Sequence, residues 1–374
     1  MTTTSQRDLL RLVTCGSVDD GKSTLLGRML FDADLLHDDD LARLGDPPDY
    51  SCLLDGLSME REQGITIDVA YRYISTDKRD FIIADCPGHT QYTRNMATGA
   101  STASLALMLV DARKGLLTQT RRHSYICHLL GIRRVLLVVN KMDLADYSQS
   151  VLQDIERDYR KLAATLGIDE VSVIPVSAVA GDNVVKRSDN MPWYDGPTVL
   201  EWLEAVPVQT ESADTPMRLP VQRVHRSGPD FRGYDGTLAA GRLRPGDPVV
   251  VLPSGHRSRI AELYVAGESA DAAMRDQAVT VTLEDDIDVA RGDLLAAVEQ
   301  VPDCADQFAA HMLWLDDKPL LPGRLYAMKM AGTQAVARIT AIKHSIDVDT
   351  QDHLAATRLA MNEVGYINLS LDHP

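Results

Sequence analysis

The amino-acid sequence predicts an α/β domain with a mostly parallel sheet, followed by two small antiparallel β-barrel domains. The first half of the chain alternates continuous apolar runs with helical patterns, which is typical of a parallel sheet covered by helices. After about Val206 the runs become short and are separated by turn residues, which is typical of antiparallel barrels. We place the three domains at residues 1–208, 216–300 and 303–374.

Five apolar runs in the first domain are the predicted parallel strands. They are continuous rather than alternating, as expected of strands that are buried on both faces of a sheet. The runs cover residues 9–15, 81–84, 105–110, 135–139 and 171–176. Residues 65–76 precede a polar turn and are expected to form one antiparallel edge strand.

Two segments of the first domain have clear helical patterns. Residues 22–30 follow the first strand after a short loop. In residues 149–166 the apolar side chains recur at helical spacing, and Gly167 is suited to end the helix. Helices between parallel strands are what a crossover connection requires.

Turn residues divide the rest of the chain. Residues 206–216 form a polar, proline-containing linker, and the pairs Pro245-Gly246 and Ser254-Gly255 separate short strands beyond it. A second break at residues 301–303 opens the last β-rich stretch. This stretch closes on Pro374 rather than on a natural final strand, so we expect the last barrel to be incomplete.

The composition is that of a soluble globular protein, with 374 residues of which 45% are hydrophobic and 25% charged. No apolar run approaches a membrane-spanning length and the N-terminus is polar, so neither export nor membrane association is expected. The five cysteines form no C-x-x-C pair, which favours free thiols in a reducing cytoplasm over a metal site. The net charge of −16 argues against a nucleic-acid partner.

The run GSVDDGKS, residues 16–23, fits the phosphate-loop pattern G-x-x-x-x-G-K-[ST]. Gly16 and Gly21 allow a tight turn whose N–H groups point at a phosphate chain, and the following helix adds its partial positive charge. Lys22 is predicted to reach the β- and γ-phosphates, and Ser23 to bind Mg²⁺. The predicted phosphate-binding residues are Gly16, Ser17, Val18, Asp19, Asp20, Gly21, Lys22, Ser23 and Thr24.

Two further motifs complete the predicted phosphate and metal site. In DCPGH, residues 85–89, Asp85 is placed to hold a Mg²⁺-bound water and the Gly88 N–H to meet the γ-phosphate. In GITID, residues 64–68, the Thr66 hydroxyl is a second predicted Mg²⁺ ligand. The alternative is that Thr66 is an ordinary strand residue.

The run NKMD, residues 140–143, is the predicted base-specificity element. The Asp143 carboxylate can accept hydrogen bonds from N1–H and the 2-amino group of guanine, which adenine does not offer. Asn140 can bond the base edge and neighbouring loops, and the stem of Lys141 can cover the ring. Ser177 and Ala178, after the next strand, are expected to complete the pocket through their backbone.

Other conspicuous residues are interpreted as structural. His123 and His128 lie on a predicted helix and are expected to be surface or packing residues rather than catalysts. The acidic run at residues 37–40 is expected to be a solvated loop rather than a metal site. Residues 226–236, rich in glycine, arginine and aromatic side chains, are explained by a bulged loop at a barrel rim.

With these motifs the chain resembles the P-loop GTPases of the translation-factor type, and most closely the large GTPase subunits of bacterial sulfate adenylyltransferase. The resemblance covers nearly the whole chain. Elongation factors usually have His-Gly-Lys where this chain has Asp20-Gly21-Lys22, and they lack Phe231-Arg232-Gly233 before the barrel strand. The segments that carry the resemblance are residues 16–30, 54–76, 82–101, 110–115, 121–126, 191–198 and 230–243.

The resemblance implies GTP and Mg²⁺ as ligands, with Lys22 and Thr66 in catalytic positions. It implies that His89 positions the attacking water behind an apolar gate formed by Val18 and Ile65. It also implies a partner, the small catalytic subunit that transfers an adenylyl group from ATP to sulfate. The loop of residues 32–53 is shorter than the family usually carries.

The leading hypothesis is therefore a GTP-hydrolysing regulatory subunit that couples hydrolysis to the formation of adenylyl sulfate. The alternative is an elongation-factor-like GTPase that delivers aminoacyl-tRNA, which would share the same nucleotide motifs. The acidic charge, Asp20 and the Phe231 insertion favour the first. A GTP-dependent scaffold without turnover is disfavoured by His89.

Overall fold

The computed structural model describes residues 7–36, 44, 48–53, 66–208, 215–228 and 231–374. The first domain holds six strands and five α-helices in this part of the chain. The strands are β1 (Asp8–Cys15), β2 (Ala70–Ser75), β3 (Arg79–Asp85), β4 (Leu105–Asp111), β5 (Arg134–Asn140) and β6 (Glu170–Pro175). The helices are α1 (Lys22–Asp32), α2 (Thr93–Ala100), α3 (Thr118–Leu129), α4 (Gln149–Leu166) and α5 (Val199–Ala205).

The six strands form one sheet in the order β2-β3-β1-β4-β5-β6. All neighbouring pairs are parallel except β2 with β3, which is antiparallel, as the sequence predicts. The edge strand β2 begins only at Ala70, because the backbone before it bonds elsewhere: the Asn95 amide donates to the carbonyl of Ile67 at 2.8 Å. Thr66 is therefore not a strand residue.

Helices cover both faces of this sheet. One apolar layer packs α1 and α5 against the sheet, with Leu25, Met29 and Leu203 in its core. The opposite layer packs α2, α3 and α4, with Met96, Ile126 and Tyr159 in its core. The predicted fold class of this domain is confirmed, and α4 ends at Gly167, which has the expected left-handed φ of 68°.

The remainder of the described chain is antiparallel β-structure with two separate cores. Residues 216–300 hold β7 (Arg218–Pro220), β8 (Arg223–Arg226), β9 (Arg232–Thr237), β10 (Arg242–Leu243), β11 (Pro248–Leu252), β12 (Arg257–Val265), β13 (Glu268–Ser269), β14 (Ala273–Met274), β15 (Ala278–Leu283) and β16 (Leu294–Ala297). The last sheet holds β17 (Gln307–Leu313), β18 (Leu325–Met330), β19 (Thr333–Ile346), β20 (His353–Leu354) and β21 (Val364–Leu371).

The last β-sheet packs on the first domain. Ile346 and Val364 join the apolar layer beneath α2 and α3. The Asn362 amide donates to the carbonyl of Thr90 at 3.0 Å, and Arg94 on α2 donates to the carbonyl of Leu315 at 2.8 Å. Among the described residues, no helix combines the length and the apolarity that crossing a bilayer would need.

Candidate functional site

A cleft of about 300 Å³ opens at the carboxyl ends of β1, β3 and β5. In a doubly wound sheet this edge is where ligands bind, at the strand where the order of connections reverses, here β1. All but one of the lining residues belong to the predicted site, and the exception is Ser51. The lining residues are Val18, Asp19, Gly21, Lys22, Ser23, Thr24, Ser51, Thr66, Gly88, His89 and Lys141.

The phosphate loop owes its shape to two glycines with positive φ, Gly16 at 140° and Gly21 at 89°. A Cβ on Gly21 would lie 2.4 Å from the amide nitrogen of Asn140, the last residue of β5. A larger residue at position 21 would therefore also collide with the predicted base-specificity element. Gly21 precedes α1, and the free N–H groups of the first helical turn lie at the cleft. Such a helix start is suited to bind an anion.

Lys22 is held under the phosphate loop. Its Nζ donates to the carbonyl of Ser17 at 2.8 Å, and the side chain is buried. Burial lowers the pKa of Lys22, and the nearby carboxylates of Asp85 and Asp20 oppose this. Gly88 comes so close that a Cβ there would lie 2.6 Å from Nζ. The ammonium group is thus fixed between the two loops that are predicted to hold the phosphates.

Asp20 closes the phosphate loop with its own carboxylate. Its Oδ2 accepts a hydrogen bond from the Ser17 N–H at 2.6 Å, which stabilises the loop turn. Oδ1 is buried and has no hydrogen-bond partner among the described residues. Burial raises the pKa of Asp20, and the Ser17 N–H and Lys22 act against this rise.

Three oxygen-bearing side chains meet where the Mg²⁺ ion is predicted. Ser23 Oγ lies 3.5 Å from Thr66 Oγ1 and donates to Asp85 Oδ2 at 3.2 Å. Thr14 Oγ1 donates to the other carboxylate oxygen of Asp85 at 2.5 Å and so fixes its orientation. Hydroxyl and carboxylate oxygens are the donors that Mg²⁺ prefers. The residues present therefore fit this ion, with Ser23 and Thr66 as ligands and Asp85 holding a bound water.

His89, the predicted water-positioning residue, is exposed and lines the cleft. Its Nδ1 accepts only a long hydrogen bond of 3.5 Å from the Gln91 N–H, and its ring contacts Tyr92 at 6.0 Å between centroids. Of the two predicted gate residues, Val18 lines the cleft and Ile65 lies outside the described residues. The imidazole can therefore turn toward or away from the cleft without breaking strong contacts.

The predicted base-specificity element, residues 140–143, is hydrogen-bonded to the phosphate loop. Asn140 donates from Nδ2 to the carbonyl of Asp20 at 2.8 Å and accepts at Oδ1 from the Ala178 N–H at 3.0 Å. Ser177 and Ala178 are buried, and Asp143 is half-buried. These three do not line the phosphate cleft itself, and Asn140 is one link between the two halves of the predicted site.

Asp111, at the end of β4, fixes Lys141. The Lys141 ammonium lies 3.2 Å from the Asp111 carboxylate and also bonds the Asp19 carbonyl of the phosphate loop. Burial alone would raise the pKa of Asp111, but hydrogen bonds from Arg113 and Lys141 hold it well below its usual range. The sequence pattern places Asp111 at a strand end and gives no sign of this role.

His123 is more than the surface or packing residue that the sequence predicts. It is fully buried on α3, and its Nδ1 accepts the N–H of Gly16 at 3.1 Å. Burial lowers the pKa of His123 to about 3, and the charge of Lys22 lowers it further. The available signal is that Gln119, His123 and Cys127 recur at helical spacing on α3, and all three prove buried.

The other residues set aside at the sequence level are as follows. His128 is half-buried beside Arg133, with no contact to the cleft. Residues 37–40 lie outside the described residues. Residues 226–236 contain the turn of the hairpin formed by β8 and β9. The tip of this turn, residues 229 and 230, also lies outside the described residues.

Comparison with known proteins identifies the family. Residues 7–236 match the model of the elongation factor Tu GTP-binding domain, and residues 307–374 match the GTP-eEF1A C-terminal domain-like family. The chain is 56% identical over 378 residues to the bifunctional enzyme CysN/CysC of Xylella fastidiosa, covering 98% of this chain and 61% of that protein. It is 51% identical over 379 residues to sulfate adenylyltransferase subunit 1 of Laribacter hongkongensis, covering 98% and 79%.

Among solved structures, a bacterial selenocysteine-specific elongation factor matches 98% of this chain and 54% of its own, at 22% identity and a TM-score of 0.48. This likeness is too low to support an inference. The sequence matches are sufficient. The sequence identity to this relative is 51%, and the match covers 98% of the present chain. The chain belongs to the sulfate adenylyltransferase subunit 1 family, within the translation-factor GTPase superfamily.

Proposed function

We propose that this chain binds GTP with Mg²⁺ in the cleft and hydrolyses it as the regulatory subunit of a two-component sulfate adenylyltransferase. The observation that carries the nucleotide part is the convergence of Lys22, Ser23, Thr66, Asp85 and Gly88 on one cleft, with Asn140 linking it to the base-specificity loops. Family membership supports the sulfate-activating role.

The proposed mechanism is an in-line attack of water on the γ-phosphate. The protein's main contributions to catalysis would be positioning of the reactants and charge neutralisation, since phosphoryl transfer leaves little covalent chemistry to the protein. Bound Mg²⁺ would supply charge neutralisation at the phosphate oxygens. Lys22 adds a fixed positive charge, and Gly88, which lies close to its Nζ, is proposed to offer its N–H to the γ-phosphate.

His89 is the residue proposed to orient the attacking water. Its exposed ring at the cleft can turn without loss of strong contacts, as a group that acts only in one nucleotide state requires. Asp143 is proposed to read guanine, with Lys141 and the backbone at Ser177 and Ala178 completing the base pocket.

The proposed partner is a small subunit that transfers the adenylyl group of ATP to sulfate. Curated relatives carry the name sulfate adenylyltransferase subunit 1, which implies a further subunit. GTP hydrolysis would drive formation of the unfavourable sulfate–phosphate anhydride. We assign no residue of this chain to ATP or sulfate.

The coupling is tested by mixing the purified chain with the candidate small subunit, ATP, sulfate and pyrophosphatase. We expect adenylyl sulfate to accumulate much faster with GTP than without it, and equal yields would contradict the proposal. Tight, GTP-dependent binding of aminoacyl-tRNA by the same preparation would instead support delivery of aminoacyl-tRNA.

The role of His89 is tested by His89→Ala. We expect single-turnover GTP hydrolysis to fall by about 10²-fold or more, with the dissociation constants of GTP and GDP nearly unchanged. His256→Ala, at an exposed position in the middle domain, is the matched control. Unchanged hydrolysis in His89→Ala would refute the assignment.

A further inference from the structure

The carboxylate of Asp20 is buried within the phosphate loop, and only one of its two oxygens is paired. The residue is 1% exposed, and Oδ2 accepts the Ser17 N–H at 2.6 Å. Within the described part of the chain no group bonds Oδ1, although this oxygen is also shielded from water. A buried polar atom without a partner is unfavourable, so its presence calls for an explanation. Holding the loop turn explains Oδ2 alone.

Lys22 does not neutralise Asp20 by direct contact. The Lys22 ammonium donates to the carbonyls of Ser17 and Gly16, at 2.8 and 3.4 Å, instead of to this carboxylate. Burial raises the pKa of Asp20 and is the larger effect, whereas the Ser17 N–H and the charge of Lys22 lower it. The ionised carboxylate is therefore poorly solvated and is not held in an ion pair.

Charged and titratable side chains from three other places in the fold surround this loop. Lys114, after β4, favours the ionised form of Asp20, and Asp111, at the end of β4, opposes it. Asp111 is itself paired with Lys141, which follows β5, at 3.2 Å. His123 bonds the loop from α3 and stays neutral above about pH 3, so it adds no charge. None of these side chains supplies the partner that Oδ1 lacks.

A bound guanine nucleotide would place further negative charge on the other side of the loop. Val18, Asp19 and Gly21 line the cleft in which the phosphates are proposed to bind, and Asp20 does not. The phosphates and the Asp20 carboxylate would therefore be separated by little more than the backbone of the loop. Like charges repel, and this repulsion is strong where water is excluded from the space between them.

We propose that Asp20 determines nucleotide affinity: its buried charge opposes the bound phosphates, and a proton from solvent joins Oδ1 when GTP or GDP binds. This inference rests on the proposed binding of GTP. Oδ1 is the oxygen that takes the proton, because Oδ2 is already the acceptor for Ser17. Since burial has raised the pKa of Asp20, protonation is easier here than for a carboxylate in water. The remaining repulsion speeds the release of GDP.

The test is Asp20→Asn, which removes the charge and keeps a side-chain oxygen that can accept the Ser17 N–H. At pH 7.5 we expect the dissociation constant of GDP to fall roughly tenfold, with slower release of GDP in stopped-flow measurements. This difference should narrow toward pH 5.5, because protonation of Asp20 in the unaltered chain has the same effect as the substitution. Asp271→Asn removes one charge at an exposed position of the middle domain and should not change the affinity.

Proton uptake provides a second measurement. Calorimetry in two buffers of different ionisation enthalpy counts the protons taken up with each GDP, after correction for the ionisation of free GDP. Between pH 5.5 and 7.5 the unaltered chain and Asp271→Asn should take up more protons than Asp20→Asn. The unaltered chain alone should bind GDP more tightly as the pH falls, so the proposal is testable even if Asp20→Asn does not fold.

The outcomes separate this inference from the proposed function. Equal or weaker GDP binding by folded Asp20→Asn, with the same proton uptake as the unaltered chain, would mean that Asp20 only holds the loop and would overturn the inference. Absence of proton uptake by the unaltered chain over this pH range would also overturn it. If the unaltered chain bound no guanine nucleotide, the proposed function itself would fail.

Discussion

Replacing His123 by glutamine is expected to remove a defined pH dependence from the stability of the first domain. His123 is fully buried, and its Nδ1 accepts the Gly16 N–H at 3.1 Å. A protonated ring would present a second donor to this N–H, so the folded state requires the neutral form. Burial is the main cause that lowers the pKa of His123 from 6.5 to about 3.

The sign follows from which state binds the proton. Below pH 6.5 the unfolded chain protonates His123 and the folded chain does not until about pH 3, so the stability present above pH 6.5 is lost as the pH falls. One pKa unit corresponds to about 1.4 kcal/mol, so His123 alone should cost about 2 kcal/mol of the free energy of unfolding at pH 5. That is a large share of the 5–15 kcal/mol typical of a domain.

The assay is hydrogen exchange of the β4 amides, corrected for intrinsic exchange rates, at pH 7.5, 6 and 5 without nucleotide. We expect His123→Gln to be about 1–3 kcal/mol less stable at pH 7.5 because it removes the ring nitrogen that accepts the Gly16 N–H. Its stability should then decline by about 2 kcal/mol less than that of the unaltered chain toward pH 5. His256→Gln is the control. If the stability of His123→Gln and that of the unaltered chain declined in parallel with falling pH, the reasoning would be refuted.

Two further predictions concern the loops around the cleft. In Gly88→Ala the new Cβ would lie 2.6 Å from Lys22 Nζ and 2.8 Å from the backbone at Ser17 and Val18, so one loop must move. We expect roughly 10²-fold slower single-turnover GTP hydrolysis, and a normal rate would contradict the observed close approach. Asn140→Ala removes the bonds to Asp20 and Ala178, and calorimetry should show a dissociation constant for GDP about 10- to 100-fold higher.

Much of the fold could be predicted because the signals are local. The helix at residues 149–166 is bounded by its own apolar stripe and by Gly167, and the structure reproduces both ends. The strands were predicted one or two residues short where polar residues such as Arg79 and Asp85 extend the ladder. A parallel neighbour satisfies their backbone whatever their side chains are, so composition underestimates the strand.

The candidate site could be predicted only where the functional residues lie close together in the sequence, within one loop, at a spacing that a short motif records. The contact between Gly16 and His123 spans 107 residues, and that between Arg28 and Val179 spans 151. A side chain that supports a loop from another element needs only the right position in space, which no short motif records. The motifs thus identify the groups expected to touch the nucleotide, and the structure adds those that hold the loops in place.

The residues predicted to bind the nucleotide and the residue predicted to position water differ in how tightly they are held, and this difference suits a switch. Lys22, Asp85 and Asn140 are buried and held by hydrogen bonds, with the Ser17 carbonyl, the Thr14 hydroxyl and the Ala178 N–H as their respective partners. His89 is exposed, with one long hydrogen bond among the residues that the structure describes. Binding free energy requires a preorganised cradle, whereas a step that must wait for a partner requires a group that is not yet in place. Changes to the buried residues should therefore act mainly on affinity, and changes to His89 on rate.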